Sequence, residues 1–169
     1  MRWLAGVLAA AAVVVVGVQL FGDAFHTPPA FCPDDADGAP HDDSRLDSRP
    51  PEGPVLYAVG EDGMWNMTSS LDGRLPADFP YRPALICQYR TMTDEQISVC
   101  PTSGGGEIPV VRTRYHYKVY GIPGKDLRGA FDLPGIPLCE GGITTRSEIP
   151  AEPDYTAIAE RTAPLLREE

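Results

Sequence analysis

Between Trp3 and Phe21 the chain runs for 19 residues with one polar side chain, Gln19. No other stretch restricts the possible folds as much. A helix rises about 1.5 Å per residue, so this segment reaches roughly 28 Å, close to the ~30 Å hydrocarbon thickness of a bilayer. The apolar core of a cleaved export signal is shorter, at about 7–15 residues. Residues 1–22 therefore read as a transmembrane anchor or uncleaved signal. The many Ala and Gly residues, and the small-residue pattern Gly22-Asp23-Ala24, keep cleavage and secretion as the alternative.

Charge sets the orientation, because Lys and Arg are retained on the cytoplasmic side. The N-terminal flank carries Arg2. From Gly22 to Ser44 there is no Lys or Arg, only Asp23, Asp34, Asp35, Asp37, Asp42 and Asp43. Everything beyond Gly22 is expected outside the cell membrane. Cys32 does not make the chain a lipoprotein, since Pro-Ala-Phe before it is no lipobox and lies ten residues past the apolar core.

Residues 23–54 read as an acidic, Pro-rich linker. The stretch 22–54 has seven prolines, and its eight acids against Arg45 and Arg49 leave a net charge of −6. Such a segment buries too little apolar surface to repay its ordering, so a disordered spacer is expected. Its DDADG resembles a calcium loop only in part. Counting back from Gly38, the third acidic position is Pro33, and Ser44 stands where the closing Glu belongs. No metal or other cofactor is indicated. The whole chain carries −10, and an acidic exported protein lacks the basic footprint that nucleic acid requires.

Four cysteines in an exported chain point to two disulfides. They are Cys32, Cys87, Cys100 and Cys139, with spacings of 55, 13 and 39 that suit neither a zinc site nor a CxxC redox centre. The intervening TMTDEQ favours a Cys87–Cys100 bridge if it turns the chain back. Cys32 would then pair with Cys139.

The remainder, 55–169, reads as an extracytoplasmic β-rich domain. PVLYAVG and MWNM suit strands, ALICQYR a central strand, and ISVC its hairpin partner. TSGGGE suits a plain turn, since no helix or Lys follows to make it a phosphate cradle. In IPVVRTRYHYKVYG the alternation is clean. Val111, Thr113, Tyr115, Tyr117 and Val119 share one face, and Arg112, Arg114, His116 and Lys118 the other. Short strands fit LRGAFDL and Ile136–Cys139. PDYTAIAERTAPLLREE predicts a helix capped by Asp154, with Tyr155, Ile158, Thr162 and Leu166 in one stripe and Pro164 ending it. The expected class is α+β: a small, mostly antiparallel β domain with a C-terminal helix, preceded by a transmembrane helix and a disordered linker.

Arg112, Arg114, His116 and Lys118 make a basic stripe on an acidic protein. It reads either as an anion site, for an envelope polymer, a lipid phosphate or a partner protein's acidic face, or as a solvated strand face whose charges meet neighbouring acids or the folded-back linker. No catalytic residue stands out. No GxSxG elbow occurs, and His116 has Asp94, Asp126 and Asp132 as possible partners with nothing in the spacing to choose among them. The function expected is therefore a single-pass, membrane-anchored envelope protein with a non-catalytic binding or scaffolding domain. The alternatives are a secreted disulfide-bonded inhibitor presenting residues 91–99, or a small envelope hydrolase.

Overall fold

The structure, a computed structural model, describes residues 31–38, 51–60, 63–76, 82–139 and 147–167. The apolar segment 3–21 lies outside them. No helix among the described residues is long and apolar enough to cross a membrane. The described body is a small mixed α+β domain, dominated by a sheet with one C-terminal helix.

Six strands form the sheet: β1 (Pro54–Gly60), β2 (Gly63–Asn66), β3 (Ala84–Pro101), β4 (Glu107–Gly121), β5 (Leu127–Pro134) and β6 (Ile149–Pro150). Their order is β2-β1-β3-β4-β5, with β6 beside β4. The pairs β1–β3 and β4–β6 are parallel, and the other three are antiparallel. At the centre is the β3–β4 hairpin. It turns at Thr102–Gly106, where the Thr102 N–H donates to the Gly106 carbonyl at 2.8 Å and Gly105 takes φ +80°. A side chain would be strained at that backbone angle, so glycine suits the turn.

Two expectations fail at β3. TMTDEQ is not a turn: ALICQYR and ISVC are the two ends of one 18-residue strand. TMTDEQ contains no Gly or Pro to break a strand, and its β-branched threonines favour extension. That strand also excludes the Cys87–Cys100 bridge. Thirteen residues of strand span roughly 40 Å, whereas bridged Cα atoms lie within about 7 Å. The bonds are Cys32–Cys87 and Cys100–Cys139, with Cα separations of 5.6 and 5.4 Å. Two disulfides mark an oxidising setting, extracytoplasmic or secreted.

The sheet has cover on both faces. On one, Ile86, Tyr117, Val119, Leu56 and Phe131 pack with Ile158 and Leu166 from the C-terminal region. The helix there, α1 (Tyr155–Thr162), begins where Asp154 accepts the N–H groups of Thr156 and Ala157 at 3.0 Å. It gives way at Pro164 to a 3-10 turn over Ala163–Leu165. Leu165 approaches β5 so closely that a Cβ on Gly129 would lie 2.9 Å from its methyls. Only glycine fits there without a shift.

Residues 31–38 cover the other face. Phe31 and Cys32 are 1% and 0% exposed, packed with Leu85, Cys87, Tyr89, Tyr120 and Ile122. Of the expected spacer 23–54, residues 31–38 thus belong to the folded body, while 23–30 and 39–50 lie outside the described residues. Its composition is that of a linker, but Phe31 sits edge-on to Tyr120 at 5.4 Å and Cys32 is bonded to β3. A third cluster, Cys100, Val110 and Ala151, lies beneath the hairpin tip. Around Ile136–Cys139 there is no strand, only a bridge of Ile136 to Glu152.

Candidate functional site

The alternation of β4 is realised as expected. Val111, Thr113, Tyr115, Tyr117 and Val119 are at most 3% exposed, so Arg112, Arg114, His116 and Lys118 must emerge on the opposite face. Residues 31–38 cover only part of that face, and each basic residue meets a different environment.

Lys118 lies nearest the cover, and its ammonium donates to the Ala36 carbonyl. The described part of the linker thus meets this row through a backbone carbonyl. His116 stands opposite Asp132 in register, with Nδ1 2.8 Å from Asp132 Oδ1. Of the three acids the sequence left open, Asp132 is the partner. The Tyr89 ring lies 6.4 Å from the imidazole, while its hydroxyl donates to the Pro33 carbonyl at 3.1 Å. Burial pushes that hydroxyl well above the ordinary tyrosine range, so it stays protonated and cannot serve as a base.

Arg112 grips Glu95 with two parallel hydrogen bonds, Nε to Oε2 at 2.6 Å and Nη2 to Oε1 at 2.7 Å. The hydrogen bond holds the Glu95 carboxyl below its ordinary value and the guanidinium above its own. Glu95 is the site residue that sequence reading missed. Counting back from the TSGGG turn pairs Cys100 with Ile108, but register shifts between Met92 and Ser98 move every later pairing. Arg114, opposite Thr91 and Pro134, is exposed and makes no ion pair among the described residues.

The stripe is thus a row of held charges with Arg114 at its open centre. An anion approaching it meets Arg114 directly and must compete with Glu95 and Asp132 for Arg112 and His116. His116 and Asp132 also have the arrangement of a base and its orienting carboxylate. Among the described residues no serine, threonine or cysteine hydroxyl or thiol bonds the imidazole. Apart from this face, a hollow of about 350 Å³ lies between the start of β1 and the turn after β2, lined by Pro51, Val55, Thr68, Leu71 and Leu75.

The inhibitor alternative rested on residues 91–99 as a loop closed by Cys87 and Cys100. Those residues are strand, paired with β4, and the two cysteines bond elsewhere. Comparison with known proteins finds no matching family model, no similar curated protein and no similar solved structure.

Proposed function

We propose that the chain is a single-pass, membrane-anchored envelope protein whose outer domain binds an anionic envelope polymer or an acidic partner protein without catalysis. The anchor reading rests on the 19 residues from Trp3 to Phe21 and on the charge asymmetry around them. The observation that carries the binding reading is the half-covered sheet face, where Arg114 stands open between two side chains already fixed by acids. Fixed neighbours lose little freedom when a ligand arrives, and this favours recognition over flexible solvation.

The test is a titration of the full chain in detergent micelles with polyphosphate, followed by NMR. Shifts should cluster at Thr91, Arg114 and His116, weaken with salt, and vanish in Arg114→Glu. Shifts spread over all basic residues, or unchanged in Arg114→Glu, would remove the site. Fractionation tests the anchor separately: a protein recovered wholly in the medium would be secreted. The His116–Asp132 pair supports one second reading, a small envelope hydrolase, whose activity would have to disappear in His116→Ala.

A further inference from the structure

Cover on the α1 face of the sheet is uneven. α1 packs against β5, at one end of the strand order. Toward the other end Ala58 is half-buried, Gly60 is exposed and Trp65 is 46% exposed. Register sets a single row across the strands: Trp65 opposite Ala58, Ala58 beside Gln88, and Gln88 opposite Tyr117. Residues paired in register share a face, so this row lies on the side where Tyr117 packs with Ile158. Arg114 is on the opposite side.

At the uncovered end the Trp65 indole leans over Gly60. A Cβ there would lie 2.9 Å from Cζ3 and 3.4 Å from Cη2 of the ring, so glycine is what leaves the indole its place. β3 brings two hydrogen-bond donors alongside. The last pair of β1 with β3 is Val59 with Tyr89, so Arg90 comes next to Gly60, on the face of Gln88. Arg90 is exposed, and its guanidinium makes no ion pair among the described residues. Gln88 is 5% exposed, and its Oε1 accepts the Tyr117 hydroxyl at 3.0 Å. Its Nε2 has no acceptor among the described residues, yet it is not sealed from water. A donor so nearly buried and left open calls for a partner from outside.

We propose that Trp65, Gln88 and Arg90 form a site for an acidic sugar, a pyranose ring carrying a carboxylate, within a uronic-acid polysaccharide. The C–H face of the ring stacks on the open side of the indole, whose π-face is negative. Both open polar groups are donors, so the ligand supplies the acceptors. The guanidinium of Arg90 offers parallel N–H groups that match a carboxylate, and Gln88 Nε2 donates to a ring hydroxyl. A few placed polar groups around an aromatic platform are the usual means of fixing such a ligand. The site is separate from the Arg114 row and does not depend on it.

The experiment is a titration of the full chain in detergent micelles with trisaccharides of galacturonate and of glucuronate, and with their neutral counterparts. Trp3→Phe leaves Trp65 as the one tryptophan, so its fluorescence reports the site while calorimetry gives the affinity. At least one acidic trisaccharide should change the emission saturably and bind about tenfold more tightly than its neutral form. Trp65→Ala should weaken the calorimetric affinity by about tenfold or more, with the melting temperature unchanged. Gly60→Val, which displaces the ring without removing it, should weaken it as well. Arg90→Gln should abolish the preference for acid over neutral sugar. Arg114→Glu should leave all of this unaltered, even if polyphosphate binding on the other face is lost. No emission change with either acidic sugar, or full affinity in Trp65→Ala, overturns the site. Equal binding of acidic and neutral sugars overturns the role of Arg90, and loss of sugar binding in Arg114→Glu assigns it to the other face.

Discussion

The two halves of β3 share one neighbour, β4, and little else. Ala84 to Tyr89 is buried on both faces and paired on both edges, whereas Arg90 to Gln96 is exposed, and Thr93 to Glu95 have no register partner even on β4. What differs is cover. Residues 31–38, held by Cys32–Cys87, lie over one face of the first half, and α1 with its following turn contributes to the other. Neither packs against the second half, which lies beside Arg114, opposite Thr91, and Arg112, held by Glu95, whereas His116 and Lys118 stand opposite Tyr89 and Cys87 of the first. Stability is therefore concentrated in the first half, and exposed surface in the second.

The sharpest way to break this division is to remove the staple. Cys32→Ser with Cys87→Ser opens a span of 55 residues, and the chain-entropy account assigns such a closure roughly 4 kcal/mol. Denaturant melts should show that loss. A companion measurement compares the two bridges. Cys32 and Cys87 are both 0% exposed, whereas Cys139 is exposed beside the tip. Graded reduction with differential alkylation should open Cys100–Cys139 first; the opposite order would contradict the contrast drawn between the halves.

Next in size, Ile86→Ala should cost about 3 kcal/mol, since a fully buried side chain leaves a cavity. Met92→Ala, on the same strand, should change stability by less than about 0.5 kcal/mol. Comparable losses at the two positions would show that the halves do not differ.

A pH series probes the same boundary. Burial raises the hydroxyls of Tyr89, Tyr115 and Tyr117 above their ordinary value of 10.0. Above pH 10 the unfolded chain releases these protons and the folded chain keeps them, so stability present below that pH is lost as the pH rises. Melting temperature should fall steadily above pH 10. Tyr117→Phe should flatten that slope, although it also removes the hydrogen bond to Gln88 Oε1 at 3.0 Å and lowers stability at neutral pH.

The smallest effect belongs to Glu95→Gln. Both partners of this ion pair are more than half exposed, so the denaturation midpoint at pH 7 should be unchanged within error. The Arg112 Nε–H resonance should nevertheless move. In the parent chain it should titrate as the pH falls through the lowered Glu95 value, because protonation ends the interaction. A resonance that ignores both changes would mean that Arg112 is not held.

Much of this architecture was readable from local pattern. The alternation in β4 placed Val111 through Val119 inside and Arg112 through Lys118 outside, and the structure agrees residue by residue. Asp154 as cap and Pro164 as terminator of α1 were equally legible, because each acts within one turn of its own position. The length of β3 was not. A turn in TMTDEQ would account for a local disulfide, but the glycine-rich turn lies a few residues further on, at Thr102–Gly106. Glu95 escaped notice because two register shifts separate it from any simple count along the hairpin. Asp132 could be named only as one of three acids, since the choice depends on which strand lies beside β4.

The sequence alone determined the alternating faces, the helix cap, the Gly-rich turn and the presence of two bridges in an exported chain, all properties of composition or of residues a few positions apart. Tertiary structure alone decided which cysteines meet, that Phe31 and its neighbours cover a sheet face, and which charges in the basic row are neutralised. Those outcomes depend on contacts between residues dozens of positions apart. Their cost is loop closure and their gain is shared burial, neither of which any local pattern records.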